Sequence, residues 1–150
     1  MDIELPQDFK EFLSILNSHE VDYLLIGGYA VGYYGYPRAT NDMDIWVSID
    51  SENAKKMVNV LNDFGLSTPD LSADLFLEKG NIVRLGIPPM RIEILNQISG
   101  VLFEECFSKR VIDEIDGIQI NFISLERLKA NKKASGRFKD LDDLENLPPK

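Results

Sequence analysis

Two aspartates one residue apart, Asp42 and Asp44, open an apolar, strand-like stretch. Because side chains at positions i and i+2 of a strand point to the same face, the two carboxylates would lie side by side. Like charges that close repel each other, and a bound cation relieves the repulsion. The pair Gly27-Gly28 lies upstream, between a strand-like and a helical stretch, where backbone N–H groups can approach a phosphate. Hard oxygen ligands beside such a turn predict Mg²⁺ and a nucleotide.

A third acidic residue, Glu93, lies in a later apolar stretch. Strand alternation there places Ile92 and Ile94 on one face and Arg91 and Glu93 on the other. A carboxylate with apolar neighbours on a covered sheet is either ion-paired, for example with Arg84 or Arg91, or binds a metal. We expect Glu93 to join the two aspartates as a metal ligand.

The elements that position these residues follow from hydrophobic periodicity and turn signals. The predicted helices span roughly 6–18, 29–34, 51–64 and 101–107, with two more after Ser124 and over 139–147. The predicted strands span roughly 21–26, 42–49, 81–87, 90–95, 110–115 and 118–123, while 71–77 is ambiguous. Strands 81–87 and 90–95 are expected to be antiparallel, and Asp116-Gly117 predicts a tight hairpin.

This order of elements predicts an α/β (α+β) fold, in which a mixed β-sheet is flanked by helices and followed by a C-terminal helical tail. The length of 150 residues predicts one domain over residues 1–150. Its core would cover about 21–124 and its C-terminal helices about 125–147.

Composition and charge exclude several classes of protein. The chain is 44% hydrophobic and 27% charged, as is ordinary for a soluble globular protein. It has neither an apolar run near the roughly 20 residues that cross a membrane nor a signal-peptide pattern, so we expect a cytoplasmic protein. The single cysteine, Cys106, excludes an internal disulfide and a cysteine-based zinc site. The net charge of −9 argues against general binding of duplex DNA.

The charge is unevenly distributed along the chain. The segment Arg127–Lys139 has six basic residues and no acidic one, and the remainder has 10 basic and 25 acidic residues. On a helix, Lys129, Lys132 and Lys133 would share one face, opposite the side of Leu125–Leu128. This face is either solvated and paired with the acidic body, or part of a lid that binds triphosphate or an RNA acceptor. The lack of interspersed acids favours the lid.

Several other residues near these motifs have two interpretations each. Arg38 and Thr40, just before Asp42, either contact phosphate or acceptor, or stabilise the loop, with Thr40 capping backbone groups. The tyrosines around the first glycine-bearing helix are expected to be core residues with surface hydroxyls, with stacking on a base as the alternative: Tyr29, Tyr33, Tyr34 and Tyr36. The only histidine, His19, is expected to be a cap or surface residue rather than a general base.

The ordered set Gly27-Gly28, Asp42-Met43-Asp44 and Glu93 resembles the nucleotidyltransferase superfamily of the polymerase-β type. In that pattern a Gly-Gly or Gly-Ser turn opens a helix, Asp-x-Asp follows on the next strand, and a third acid lies on a later strand. Three strings are similar to small stand-alone prokaryotic members, including the nucleotidyltransferase-like toxins of toxin–antitoxin systems: Gly-Gly-Tyr-Ala-Val, Arg-x-Thr-x-Asp-x-Asp and Lys-Ala-Ser-Gly-Arg-Phe-Lys-Asp-Leu-x-Asp-Leu. The resemblance covers most of the chain, from Val21 to Leu147.

The resemblance implies a sheet of nucleotidyltransferase type and a Mg²⁺ site, open also to Mn²⁺, formed by Asp42, Asp44 and Glu93. It implies transfer of a nucleoside monophosphate from a nucleoside triphosphate to a hydroxyl, by in-line attack on the α-phosphorus with release of pyrophosphate. The acceptor would be RNA, tRNA, a protein or a small molecule, and a toxin would have an antitoxin partner. The implied nucleotide-binding residues are Gly27, Gly28, Arg38, Thr40, Lys132, Lys133, Arg137, Lys139 and Asp140.

One departure from the family pattern leaves an alternative open. Many members carry a serine after the first glycine or just beyond the pair, where its hydroxyl holds a phosphate, whereas this chain has Gly28 and Tyr29. The missing serine favours a non-catalytic member that binds a nucleotide or a partner protein and regulates. The three retained acids favour catalysis. A third hypothesis, a purely structural acidic domain, requires that the three acids lie apart.

Overall fold

The computed structural model describes residues 3–149 of the chain. In these residues the helices are α1 (Gln7–Ser18), α2 (Gly27–Tyr33), α3 (Ser51–Asp63), α4 (Asp74–Leu77), α5 (Phe103–Ser108), α6 (Leu125–Ser135) and α7 (Phe138–Asn146). The strands are β1 (Tyr23–Ile26), β2 (Asp42–Val47), β3 (Ile82–Leu85), β4 (Arg91–Leu95), β5 (Val111–Ile115) and β6 (Ile118–Phe122). The segment that was ambiguous in the sequence therefore contains the short helix α4.

The six strands form one sheet in the order β3-β4-β2-β1-β6-β5. Strands β2 and β4 are parallel, as are β1 and β6, while the other neighbouring pairs are antiparallel. The predicted mixed sheet flanked by helices is thus confirmed, including the antiparallel pairing of β3 with β4. The predicted hairpin of β5 and β6 is also confirmed, and both of its turn residues, Asp116 and Gly117, have positive φ angles.

The sheet separates two apolar cores. Tyr23 and Leu25 of β1 pack in the first core with Phe9 and Phe12 of α1 and with Met57 of α3. The intervening residues of β1 point to the opposite face and pack in a second core. All four residues of β1 are buried because helices cover both faces of the sheet at this strand.

The second core lies beneath α2, α5 and α6. It contains Leu24 and Ile26 of β1, Trp46 of β2, Cys106 of α5 and Leu128 of α6. Cys106 is fully buried. Trp46 lies two residues after Asp44 on the same face of β2, so this core borders the face of the sheet that bears the acids.

Five predicted boundaries are wrong by two residues: the starts of β1, α2 and α5 and the ends of β2 and β3. The strand after Asp42 ends at Val47, because Asp50 caps α3 by accepting a hydrogen bond from the backbone N–H of Asn53. Helix α2 begins at Gly27 rather than Tyr29, since the glycines themselves make the turn out of β1. No helix within residues 3–149 is long and apolar enough to cross a bilayer.

Candidate metal and nucleotide site

The parallel pairing of β2 with β4 brings the three acids together. In its register Asp44 lies opposite Glu93, and Asp42 lies one step along the same face of β2. Each of the three offers a carboxylate oxygen, and these oxygens lie within 4.8 Å of one another. This convergence contradicts the hypothesis of three separate structural acids.

The spacing of these oxygens suits a small divalent cation. Carboxylate oxygens are the ligands that Mg²⁺ prefers, and oxygens that share one Mg²⁺ lie at most about 4.2 Å apart. The observed oxygens lie within 4.8 Å of one another, close to that limit. Asp42, Asp44 and Glu93 therefore fit a metal of this type.

The ionisation of Asp44 is strongly perturbed. Burial, the negative charge of Glu93 and the negative charge of Asp42 together raise its pKa from 3.8 to about 7. Lys139 and Lys132 oppose this rise, but only in part. Without a cation, a large fraction of Asp44 is protonated at neutral pH, and a bound metal would displace this proton.

The Gly27-Gly28 turn packs directly against the acids. Gly27 has a φ of 67°, and a Cβ atom there would overlap the Oδ2 atom of Asp44. A Cβ at Gly28 would lie 2.7 Å from the Oγ1 atom of Thr40, which donates a hydrogen bond to the backbone oxygen of Asp42. Both glycines are therefore needed to let β2 and its preceding loop approach the start of α2. This requirement comes in addition to the phosphate contact that the sequence suggested.

Two arginines hold the outer acids. Arg91 donates to both oxygens of Asp42, at 2.7 and 3.2 Å, and Arg84 donates to Glu93 at 2.6 Å. The ion-pair interpretation of Glu93 is thus correct for Arg84, and it holds together with the convergence of the three acids. Both arginines follow from cross-strand register, since Arg84 lies opposite Glu93 and Arg91 lies opposite Asp42.

The C-terminal helices are joined to the site by buried charges. Lys132 of α6, only 4% exposed, forms ion pairs with Asp140 at 3.2 Å and Asp143 at 3.0 Å, both on α7. Arg38 binds Asp143 with two hydrogen bonds of 2.7 and 2.8 Å. Arg137 forms a further ion pair with Asp140 at 2.8 Å. We call these five residues the tail network.

The carboxyls of the tail network are strong acids despite their burial. Burial alone would raise the pKa of Asp140 and of Asp143. Hydrogen bonds from Arg137 and Lys132 to Asp140, and from Arg38 and Lys132 to Asp143, outweigh this effect, so both pKa values lie below their usual range. The network is therefore ionised at neutral pH and connects the loop before β2 to α6 and α7.

The predicted common face of Lys129, Lys132 and Lys133 is wrong. Lys132 lies one turn after Leu128 on α6, and both side chains are buried on the same face of that helix. The charge of Lys132 is tolerated there because α7 supplies two carboxylates. Sequence spacing on α6 alone did not reveal this partner helix.

A cavity of about 520 Å³ lies over the three acids. Most of the residues implied by the resemblance line it: Gly27, Gly28, Arg38, Thr40, Lys132, Arg137 and Lys139. Lys133 is exposed outside this lining, and Asp140 lies behind it in the tail network. Further lining residues that the sequence did not single out include Asn41, Ile82, Gln97, Ser99 and Asn131.

The position of these additional residues has a simple origin. Gln97 and Ser99 follow the end of β4, and the side chain of Asn131 on α6 donates to the backbone oxygen of Ser99 at 3.0 Å. Gln97 and Ser99 could have been predicted as site residues, because they follow the strand that bears Glu93. No sequence signal marks Asn131, because its role depends on how α6 packs.

The tyrosines lie outside the lining of this cavity in the described part of the chain. Tyr33 stacks on Phe122 with ring centroids 3.9 Å apart, and the hydroxyl of Tyr34 donates to the backbone oxygen of Ile123 at 2.6 Å. The hydroxyl of Tyr36 donates to Asp142 at 2.8 Å. These contacts agree with the expectation of core residues whose hydroxyls reach the surface. His19, at the end of α1, contacts Asp63.

Comparison with known proteins bears on the fold of the chain. No family model matches the chain, and no curated protein sequence matches it. The chain is similar to the crystal structure of a protein of Thermotoga maritima that is provisionally named a nucleotidyltransferase, with a TM-score of 0.60 and 19% sequence identity. The likeness covers 91% of this chain and 87% of that one. At this identity the likeness shows the fold, and we conclude that the chain has a nucleotidyltransferase-like fold.

Proposed function

We propose that the protein is a Mg²⁺-dependent nucleotidyltransferase, with Mn²⁺ as an alternative metal. The observation that carries this proposal is the convergence of Asp42, Asp44 and Glu93 within 4.8 Å beside the Gly27-Gly28 turn. The raised pKa of Asp44 supports it, since three carboxylates held this close are an unfavourable arrangement without a cation. The substrates would be a nucleoside triphosphate and a molecule with a free hydroxyl.

Each side chain of the site has a role in this proposal. Asp42, Asp44 and Glu93 would hold the metal, which when bound supplies positive charge to phosphate oxygens and lowers the pKa of a hydroxyl. The start of α2 would present backbone N–H groups to the triphosphate. Lys139 lines the cavity and has no ion pair within residues 3–149, so it is available for a phosphate.

The reaction would be a single displacement at the α-phosphorus. The acceptor oxygen forms a bond to phosphorus, its proton passes to solvent, and pyrophosphate leaves with the electrons of the broken bond. The protein would contribute mainly positioning and charge neutralisation. The acceptor, RNA, tRNA, a protein or a small molecule, would enter from the open side of the cavity.

A toxin with an antitoxin partner is the biological role we propose, in the cytoplasm, where triphosphates and Mg²⁺ are abundant. It rests on the similarity of the sequence motifs to toxin–antitoxin members. Expression of the wild-type chain in a bacterial host should then arrest growth, and Asp44→Asn should relieve the arrest. Normal growth with soluble wild-type protein would contradict a toxin role without affecting the proposed chemistry.

A non-catalytic, nucleotide-binding regulator is the second candidate. Arg91 and Arg84 already neutralise Asp42 and Glu93, which lowers the need for a metal. The absence of a serine at Gly28 or Tyr29 points the same way. Such a protein would bind a triphosphate without transferring it.

A thermal-shift panel tests the leading proposal. Wild type and Asp44→Asn are heated with ATP, GTP, CTP or UTP, each with and without Mg²⁺. A ligand at a hundredfold excess over its Kd stabilises the native state by about 2.7 kcal/mol. A Mg²⁺-dependent rise with at least one nucleotide, lost in the variant, supports the site, and release of pyrophosphate separates the enzyme from the regulator. No rise with any nucleotide contradicts both candidates.

A further inference from the structure

The N-terminal end of α7 presents an exposed aromatic ring beside the candidate site. Phe138 is 93% exposed, the largest exposure among the large hydrophobic residues in the described part of the chain. Its neighbours in the sequence, Arg137 and Lys139, both line the cavity over the three acids. Along the chain the ring therefore stands between two cations that line this cavity.

Helix α7 is turned so that two of its acids face inward. Its buried residues, Asp140 and Asp143, are held in the tail network, while Phe138 and Leu141 face solvent. Because the ion pairs with Lys132 determine which face is buried, the exposed ring is a consequence of the buried carboxylates. The same ion pairs hold α7, which carries the ring, against α6.

The charge around the ring indicates what it binds. A single exposed apolar side chain is common and carries no meaning alone. An aromatic ring between cations is the combination that proteins use for single-stranded nucleic acid, where the ring stacks on a base and the cations neutralise phosphates. Lys133, also exposed, is a further cation in this segment of the chain.

We propose, on the basis of the proposed function, that the acceptor is the free end of a single-stranded nucleic acid. A base near the end would stack on Phe138, and Arg137 and Lys139 would neutralise the adjacent phosphates. The terminal hydroxyl would then reach the cavity that Asp42, Asp44 and Glu93 line. The net charge of −9 agrees with this contact of one or two nucleotides and disfavours a long duplex footprint.

A protein partner is the competing occupant of this surface. It would use apolar area and therefore both Phe138 and Leu141, which is 46% exposed one turn further along α7. A base needs only the flat ring. The acids Asp142 and Glu145 lie near Leu141 in the sequence and make that part of α7 unsuitable for phosphates, so the observations favour a nucleic-acid end at Phe138.

Binding of fluorescently labelled oligonucleotides tests the proposal. The full chain is titrated, at low salt and with Mg²⁺, into a single-stranded RNA, the same sequence as DNA, and a blunt duplex. We expect a Kd of about 10⁻⁶–10⁻⁴ M for the single strands, the range of contacts without sequence readout. Tighter binding of RNA or of DNA identifies the source of the strand. Duplex binding as tight as single-strand binding, or no binding in this range, would overturn the proposal.

Matched variants separate stacking from general apolar or charge effects. Phe138→Leu should weaken binding about tenfold and Phe138→Trp should preserve it, because only aromatic rings stack on bases. Leu141→Ala should have no effect. Equal losses for Phe138→Leu and Leu141→Ala, or no loss for Phe138→Leu, would overturn the proposal. Unchanged melting temperatures show that the variants are folded.

The salt dependence isolates the phosphate contacts. Lys139→Gln should lower the slope of log K against log salt by about 0.7, the value for one phosphate of a single strand. The control Lys55→Gln removes the same charge from an exposed position of α3 and should leave the slope unchanged. Equal slopes for Lys139→Gln and wild type would overturn this contact.

The proposed function and this inference fail in different ways. Stabilisation by a nucleotide and Mg²⁺ is measured on the same wild-type sample. If this stabilisation is present and no oligonucleotide binds, only the assignment of the acceptor is contradicted. If this stabilisation is absent and single strands bind with the expected dependence on Phe138, the surface binds nucleic acid. The proposed transferase activity is then contradicted.

Discussion

Asp44 on β2 lies directly opposite Glu93 on β4, in the parallel register of two neighbouring strands. Forty-eight residues separate them in the sequence. The pairing places two carboxylates side by side and, with Asp42, forms a cluster in which burial and the negative charges of Glu93 and Asp42 raise the pKa of Asp44. Each of the following predictions tests one consequence of this arrangement or of the tail network that adjoins it.

Neutralising Asp44 should stabilise the metal-free protein. At pH 8, Asp44→Asn removes one of three like charges and keeps the shape, so the melting temperature should rise by about 2–4 °C per kcal/mol of relieved repulsion. Any stabilisation by Mg²⁺ should disappear. Differential scanning calorimetry with and without Mg²⁺ measures both effects. Asp70→Asn, at an exposed site, is the control. A lower melting temperature for the Asp44 variant would contradict a repulsive cluster.

The stability of the metal-free protein should depend on pH through Asp44. Its pKa is about 7 in the folded state and 3.8 ordinarily, so between these values the folded state binds more protons than the unfolded state. The free energy of unfolding should therefore decrease as the pH rises from 4 to 7, by roughly 2–3 kcal/mol for this group. Urea denaturation at pH 5 and pH 8 checks this. The difference between Asp44→Asn and wild type should grow over the same interval, and a constant difference would contradict the assignment.

Gly27→Ala should destroy the metal site. The new Cβ would overlap the Oδ2 atom of Asp44, and a residue with a Cβ is strained at a φ of 67°, by about 1–2 kcal/mol. We expect lower stability and loss of Mg²⁺ stabilisation in a thermal-shift assay. Gly65→Ala is the matched control, since it also has a positive φ but no atom within 4 Å of the added Cβ. Retained Mg²⁺ stabilisation in the Gly27 variant would show that Asp44 is not needed in its observed position.

Lys132→Gln should strongly destabilise the protein. It leaves two buried carboxylates without their shared cation, and breaking a buried ion pair costs about 3–5 kcal/mol. The adjacent residue provides the control, because Lys133 is exposed and Lys133→Gln should change stability by at most about 0.5 kcal/mol. Urea unfolding at pH 7 measures both variants. Similar losses of stability for the two variants would contradict the view that the buried ion pairs of Lys132 stabilise the protein.

Local patterns were sufficient for most of the elements and for the three acids. The i, i+2 alternation of Asp42 and Asp44 and the apolar residues around Glu93 predicted acids on the same face of a sheet. The hairpin at Asp116-Gly117 was readable because that dipeptide favours positive φ angles. The untested part of the site, its nucleotide contacts, stays a prediction for every residue that lines the cavity.

The burial of Lys132 on α6 could not be predicted from the sequence. A helix pattern places a lysine on the solvent side, and only the packing of α7 against α6 supplies the carboxylates that make its burial favourable. The exposure of Phe138 follows from the same packing. Amphipathic patterning misses Lys132 of α6 and the inner face of α7 because ion pairs, in addition to the apolar contact of Leu128, determine which faces of these helices are buried.

By itself the sequence determined which residues could do chemistry and which elements bear them, because strand alternation, turn residues and apolar periodicity act over a few neighbouring residues. The tertiary structure decided the register that places Asp44 opposite Glu93, the close approach of Gly27 to Asp44, and the inward direction of Lys132. These relationships join residues far apart along the chain. Their energies depend on which strands and helices become neighbours, and that information is present only in the folded molecule.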